Sequence, residues 1–297
     1  MCWHKIEWCS EVKYPGLYNS ADVASNEQQA TFLRLIRAEY VLLFLASVLS
    51  LDLSPSKAYF GVYAAVFLCS MGVLIFRSVT KPEQVWYQAR ALAESVKTLT
   101  WRFAMRAQPF DDARAADARA DFRKLMEGIL DSNRHLGSAL SGTDSASPQT
   151  TDQMMSIRDS PLKERKDIYL QRRICDQRKW YEKKARSNKR SAKVWMGLGI
   201  FAYALGFSFI VVRIADPAMP GWPTEPLIVI AASLIGWTQI KKFNELASAY
   251  TLTAHEIGLT ADLITDANSD EAFSAAVNEA ELAFSREHTQ WVARQNN

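Results

Sequence analysis

The chain has 297 residues, 48% of them apolar and 23% charged, with a formal net charge of +3. That length suits one large domain or two modest ones. The four cysteines are dispersed (Cys2, Cys9, Cys69 and Cys175) and lack the short C-x₂₋₄-C spacing of a zinc site even with His4 nearby, so they read as unpaired thiols of a reducing cytosol. The first ten residues carry an acid, Glu7, and lack the basic-then-apolar pattern of a signal peptide.

The averages hide a segregated chain. Residues 1–30 are polar, with turn formers at Pro15-Gly16 and Asn19-Ser20, and read as a loosely ordered lead-in. Helical spacing begins near Glu27. A first apolar run, 40–51, is short for a membrane span of ~20 residues. Extended back to Phe32, it takes in Arg34, Arg37 and Glu39, which fit an interfacial position. After a short loop with Pro55, residues 58–76 form a cleaner span, stopped by Arg77 and Lys81-Pro82.

Residues 82–105 follow as a helix. Trp86, Arg90, Glu94, Lys97 and Trp101 recur every three or four residues and share one face. Gln108–Phe110 breaks it, and 111–135 reads as an amphipathic helix with Phe122, Leu125, Ile129 and Leu136 at core spacing. Asp111-Asp112 fits a helix cap or first turn better than a metal site. Residues 137–153, rich in Ser, Thr and Gly, are the one obvious linker.

Asp159-Ser160-Pro161 signals a new helix start. Residues 161–193 carry thirteen basic side chains against four acids. At Val194 the composition turns apolar without a break, and nothing interrupts the helical pattern until Pro217; Gly197 or Gly199 is where a kink is expected. Runs 194–214 and 227–237, joined by a Pro/Gly turn at 216–226, form a second hairpin ending on Lys241-Lys242. Trp195, Trp222 and Trp237 stand near the expected membrane boundaries. Basic residues flank both hairpins on the same side, which puts both termini in the cytoplasm. A helix over 244–264, a capping signal at 268–271 and an acidic, alanine-rich helix over 272–293 close the chain. Its acids, Asp270, Glu271, Glu279, Glu281 and Glu287, are natural partners for the basic helix.

The expected fold is therefore all-α: an integral membrane protein of two helical hairpins, four spans, with long cytosolic helices. The expected divisions are a lead-in (1–30), a first hairpin with cytosolic helices (31–136), a linker (137–158), a second hairpin with its basic pre-helix (159–265) and an acidic terminal helix (266–297).

The segment Trp86-Tyr87-Gln88-Ala89-Arg90-Ala91-Leu92-Ala93-Glu94-Ser95-Val96-Lys97-Thr98-Leu99-Thr100-Trp101-Arg102-Phe103 resembles the post-hairpin helix of the SLATT domain family. Tyr169-x-x-Arg172-Arg173, Gln177-x-x-Trp180-Tyr181 and Lys184-Ala185 are similar to its pre-hairpin helix. Ser233-x-x-Gly236-Trp237-x-Gln239, Tyr250 and His255-Glu256 resemble its closing segment. The likeness covers most of 30–265, in two tandem copies. It implies a bacterial two-transmembrane effector of antiviral defence, assembled as a pore in the inner membrane. It also implies control by a cyclic or linear oligonucleotide from a partner nucleotidyltransferase.

No catalytic constellation is present: there is no Gly-rich phosphate loop, H-E-x-x-H or G-x-S-x-G, and no cofactor or metal is expected. His255-Glu256, adjacent on a helix, point apart. The basic helix has three compatible readings: a topogenic segment touching anionic lipid, a nucleotide site, or a partner of the acidic terminal helix. The candidate nucleotide residues are Arg90, Lys97, Arg102, Arg172, Arg173, Lys183, Lys184 and Arg186, with Trp180 and Tyr181 for stacking. Arg90, Glu94 and Lys97 equally suit an interhelical salt-bridge network.

Four spans are too few to enclose a wide pore, so conduction implies a ring of protomers, a homo-tetramer as the first expectation. Gly197, Gly199, Ala202, Ala204 and Gly206, with Ala231, Ala232, Ser233 and Gly236, allow close helix contact. Phe207 and Phe209 are candidate constrictions, or lipid-facing. The rival class is a non-conducting membrane anchor or scaffold for a signalling complex; a membrane-bound enzyme ranks third.

Overall fold

The computed structural model describes residues 12–111, 114–140, 146–218 and 223–295, with side chains as far as Phe284 in the last helix. Among these residues the structure is all helical, without a strand. The helices are α1 (Gly16–Leu49), α2 (Lys57–Thr80), α3 (Pro82–Ala104), α4 (Ala115–Ser132), α5 (Asp152–Asp159), α6 (Leu162–Tyr169), α7 (Asp176–Ala215), α8 (Thr224–Lys241), α9 (Phe243–Asp266) and α10 (Asp270–Gln295). A six-residue π-helical turn, Leu170–Cys175, joins α6 to α7.

The chain packs as two compact units that are not successive stretches of sequence. One comprises Met1–Gln29, Pro82–Trp180 and Thr253–Asn297; the other comprises Ala30–Lys81 and Tyr181–Leu252. The unit boundaries fall inside α1, α7 and α9.

In the first unit, one core gathers Leu92, Val96, Leu99 and Phe103 of α3, Phe110 of the connection that follows, Phe122 and Met126 of α4, Leu136 and Met154. Phe103, Phe110 and Phe122 meet as a ring triad with centroids 4.9–5.9 Å apart. Burying such a side chain contributes ~1.5–3 kcal/mol each. Leu125, expected inside, is exposed, and Met126 takes its place because the buried stripe runs Phe122, Met126, Ile129 at steps of four and three.

The lead-in expectation is corrected as well. The helix starts at Gly16, the Pro15 carbonyl accepts from Tyr18 and Asn19, and Ser20, Ala21, Ala24 and Ser25 are buried. Tertiary packing outweighs weak local propensity here. The 137–153 stretch lies within this unit: Gln153 and Gln149 accept from the Lys13 and Leu17 backbones, and Thr151 caps α5. Asp159 ends α5 rather than starting a helix; Pro161 stands at the N-cap of α6. The irregularity in the long helix is the π turn at 170–175, not Gly197 or Gly199. The capping signal before the last helix holds, with Ser269 Oγ accepting from the Ala272 N–H.

The second unit has the opposite surface. α2 buries none of its residues, and Phe60, Val62, Phe67, Leu68, Leu74 and Ile75 face outward. Ile200, Phe201, Tyr203 and Phe207 do the same on α7. Among the described residues, two helical stretches are long and apolar enough to cross a membrane, within Lys57–Ala104 and Leu162–Ala215. The helix α1 carries Glu39 into its apolar half, where Arg77 of α2 pairs with it at 2.7 Å and neutralises it.

Both hairpins end alike. Lys81 after α2 and Lys242 after α8 adopt the left-handed conformation (φ 43° and 45°), each donating its N–H to the carbonyl four residues back. A new helix begins at once in each case. Gly236 lies where α8 passes α1: a Cβ there would stand 2.5 Å from the Tyr40 hydroxyl oxygen, so that side chain would have to move. Trp195 and Trp237 lie 6.0 Å apart with Arg37 and Lys241 over the Trp237 ring, while Trp222 lies outside the described residues.

Candidate functional site

The first unit contains a buried polar cluster built on one face of α3. Arg90, Glu94, Lys97 and Trp101 stand at helical steps of four, three and four. Arg90 reaches Glu94 at 2.7 Å and Asp22 of α1 at 3.0 Å. The Lys97 ammonium stands 5.9 Å over the Tyr14 ring, and Trp101 Nε1 donates to Tyr14 Oη at 3.0 Å. Across from them lies Tyr169, whose ring meets Trp101 edge-on at 5.7 Å and whose hydroxyl donates to Glu281 Oε1 at 2.8 Å.

At the centre is Arg173, in the π turn. Its Nε and Nη2 donate to both oxygens of Glu281 at 2.8 and 2.7 Å, and Phe284 lies 4.7 Å beneath the guanidinium. Arg173 and Glu281 are 1% and 0% exposed, so this is a dehydrated bidentate pair. Burial alone opposes the charge on Arg173, but the attached Glu281 carboxylate more than offsets it and its pKa is raised. One donor nitrogen, Arg173 Nη1, is buried without a hydrogen-bond partner. Such a group costs about 1–3 kcal/mol, more when charged.

Two further buried arginines serve the scaffold. Arg158 Nη1 donates to the Phe103 carbonyl at 2.8 Å and Arg165 Nη1 to the Met105 carbonyl at 2.7 Å. The Phe103 carbonyl also accepts from the Arg106 N–H at 3.3 Å, so the cationic side chains supplement the last backbone bonds at the end of α3. Arg165 also pairs with Asp270. Lys166 does the same for the end of α9, donating to the Thr265 and Ala267 carbonyls at 2.6 and 2.8 Å. Asp270 and Glu281 thus make the acidic terminal helix a partner of the basic segment, whereas Glu271 and Glu279 are exposed and the side chain of Glu287 lies outside the described residues.

The ten candidate nucleotide residues separate into three settings. Arg90, Lys97 and Arg173 belong to the cluster. Arg102 stands at its edge, Nε donating to the Gln108 carbonyl, and burial lowers its pKa. Arg172 is half-buried and Trp180 exposed in the same unit. Lys183, Lys184 and Arg186 form an exposed stripe of α7 in the second unit, and Tyr181 there is buried against Tyr250 at 5.5 Å. Of the candidate constrictions, Phe207 is exposed and Phe209 half-buried. Cys69 is exposed and Cys175 half-buried, and neither is in a disulfide, whereas Cys2, His4, Cys9 and Asp112 lie outside the described residues. His255 and Glu256 are both exposed.

Sequence reasoning passed over Tyr14, Arg158 and Arg165 and left Glu281 among several acids. For the acids the signal was there, because 270 and 281 stand eleven apart on one face of α10; 158, 165 and 173 fall on α5, α6 and the π turn and share no single helical face.

Burial, then the charge of Arg173, pushes the Lys97 pKa down to about 8. Unfolded lysine titrates near ~10.4, so between these values the unfolded chain binds more protons and stability rises with pH. Tyr14, pushed up to about 12 chiefly by burial, acts in the opposite sense and only above ~10, where unfolded tyrosine ionises. The unfolding midpoint of the purified protein is therefore expected to rise from about pH 8 to about 10, and Lys97→Gln to flatten that rise.

Comparison with known families adds two matches. The model of SMODS and SLOG-associating 2TM effector domain 3 (SLATT_3) matches residues 15–166. That of SMODS and SLOG-associating 2TM effector domain 1 (SLATT_1) matches residues 169–291. No curated protein and no solved structure matches the chain.

Proposed function

The chain belongs to the SLATT family, as two tandem two-transmembrane effector domains, and is thereby a membrane effector; from this we propose that it is an ion-conducting effector of antiphage defence, opened or restrained by a nucleotide signal. In this reading α1, α2, α7 and α8 supply four spans in the bacterial inner membrane, with both termini cytoplasmic. Basic residues flanking each hairpin support that orientation. A ring of protomers, a tetramer first, forms the pore, and Phe207 and Phe209 are its constriction. The signal is a cyclic or linear oligonucleotide from a partner nucleotidyltransferase, and the protein itself catalyses no reaction.

The observation that carries control by an anion is the buried, unpartnered Nη1 of Arg173 beside Lys97. Among the cluster's described side chains, the basic Arg90, Arg102, Lys97 and Arg173 stand against the acidic Asp22, Glu94 and Glu281, one basic group more. A phosphate entering there satisfies that nitrogen and competes with Glu281 for the guanidinium. Since Arg173 lies in the π turn that leads into α7, its choice of partner acts at the root of the helix carrying the third span.

The test is binding of fluorescently labelled cyclic dinucleotides, cyclic trinucleotides and short linear oligoadenylates, read by anisotropy. Lys97→Gln is expected to weaken the bound species about tenfold or more, equivalent to ~1.4 kcal/mol. Lys183→Glu/Lys184→Glu is expected to change it less than about threefold, as for distant screened charges. Equal affinity of wild type and Lys97→Gln would remove the cluster as the sensor. A large loss in the double reversal alone would move the sensor to the exposed stripe.

A further inference from the structure

In the second unit a cleft of about 330 Å³ opens between α7 and the α8–α9 corner. That is the lower end of the ~300–1,000 Å³ range of ligand sites. Its lining is graded. One end is apolar, formed by Met196, Ile200 and Tyr203 of α7 with Leu234 and Ile235 of α8. The other end is polar, formed by Thr238, Gln239, Lys242, Asn244 and Glu245, and Trp195 also lines the cleft. The two helices run antiparallel, so the polar end lies where both leave the apolar runs.

Small residues hold the cleft open. Ala192 and Gly199 line it seven positions apart on one face of α7, and a Cβ at Gly199 would meet no atom within 4 Å. The left-handed backbone at Lys242 separates α8 from α9, and Lys242, Asn244 and Glu245 all line the cleft there.

We propose that this cleft is a binding site for one zwitterionic aminophospholipid. An acyl chain lies along Gly199–Tyr203 and Leu234–Ile235, the phosphate is held by Lys242 with Gln239 and Asn244, and the ammonium faces Glu245. The argument is charge complementarity at a membrane-level site. A cation alone at the mouth would select anionic lipid, and an apolar cleft alone would select none. Lys242 and Glu245 together match the phosphate–ammonium pair of an ethanolamine headgroup, and Trp195 is the amphipathic side chain expected at headgroup depth. The inference rests on membrane insertion of this unit and not on conduction or nucleotide control.

The experiment is native mass spectrometry of the full chain released from detergent. The protein is first stripped of lipid and then re-equilibrated with equal amounts of phosphatidylethanolamine, phosphatidylglycerol and phosphatidylcholine. Wild type is expected to retain one phosphatidylethanolamine per chain under activation that removes the rest. Gly199→Leu fills the cleft with its own side chain and is expected to lose that lipid. Glu245→Gln, an exposed position that leaves packing intact, is expected to lower the preference for phosphatidylethanolamine over phosphatidylglycerol about fivefold or more, a charge-pair contribution of order 1 kcal/mol. The same lipids retained by wild type and both variants would overturn the proposal. So would retention governed by net lipid charge alone, or a lipid-free dimer in which Met196→Cys and Ile235→Cys are oxidised to intermolecular disulfides by copper phenanthroline, which would make a second copy the occupant.

Discussion

Glu281→Ala is expected to cost about 3–5 kcal/mol of stability, because it leaves the Arg173 guanidinium charged and buried without its partner. Arg173 already has one nitrogen without a partner, and Tyr169 loses its acceptor in the same change. Glu279→Ala, two residues earlier and exposed, is expected to stay within about 0.5 kcal/mol. The pair itself is not the source of the stability. Arg173→Met/Glu281→Leu, which removes both charges and keeps the volume, is expected to recover most of the loss. Thermal unfolding in detergent, followed by far-ultraviolet circular dichroism, checks all three. A Glu281→Ala midpoint equal to wild type would contradict the dehydrated pair.

Trp101→Ala is expected to be comparably severe, about 3–5 kcal/mol for loss of a buried tryptophan. At 1% exposure, Trp101 packs edge-on against Tyr169 and anchors the N-terminal segment through Tyr14. Trp101→Phe separates the two contributions. It keeps most of the apolar area and loses the indole N–H, which leaves the Tyr14 hydroxyl one bond short for about 1 kcal/mol. Trp180→Ala, an exposed tryptophan of the same unit, serves as the control and is expected to change little. The same unfolding measurement applies, and equal midpoints for Trp101→Ala and Trp180→Ala would contradict the placement of Trp101.

What could be read from the chain follows from local physics. Apolar runs, basic flanks and the α3 face are short-range patterns, so the helical class, the hairpins and the Arg90–Glu94–Lys97–Trp101 stripe were legible. The Asp270 and Glu281 pairings were legible as a tendency, because opposite charges were concentrated on two helices. Which arginine meets which acid was not, since register between residues about a hundred positions apart is set by packing. The helix beginning at Gly16 was hidden because its stability comes from α3, through buried Ala21 and Ala24 and the Asp22–Arg90 pair. Residues 137–153 looked like a linker by composition, yet Thr151 and Gln153 tie them to the N-terminal segment. The π turn has no compositional mark; it became visible only as the place where Arg173 turns into the core.

The most direct measurement of the central claim is single-channel current from the purified protein in a planar bilayer, with and without the nucleotide that binds. The account predicts discrete currents whose open probability changes with that nucleotide, and loss of the response in Lys97→Gln with unit conductance retained. A silent bilayer containing inserted, oligomeric protein, with bound nucleotide, would contradict it and leave a non-conducting membrane scaffold as the function.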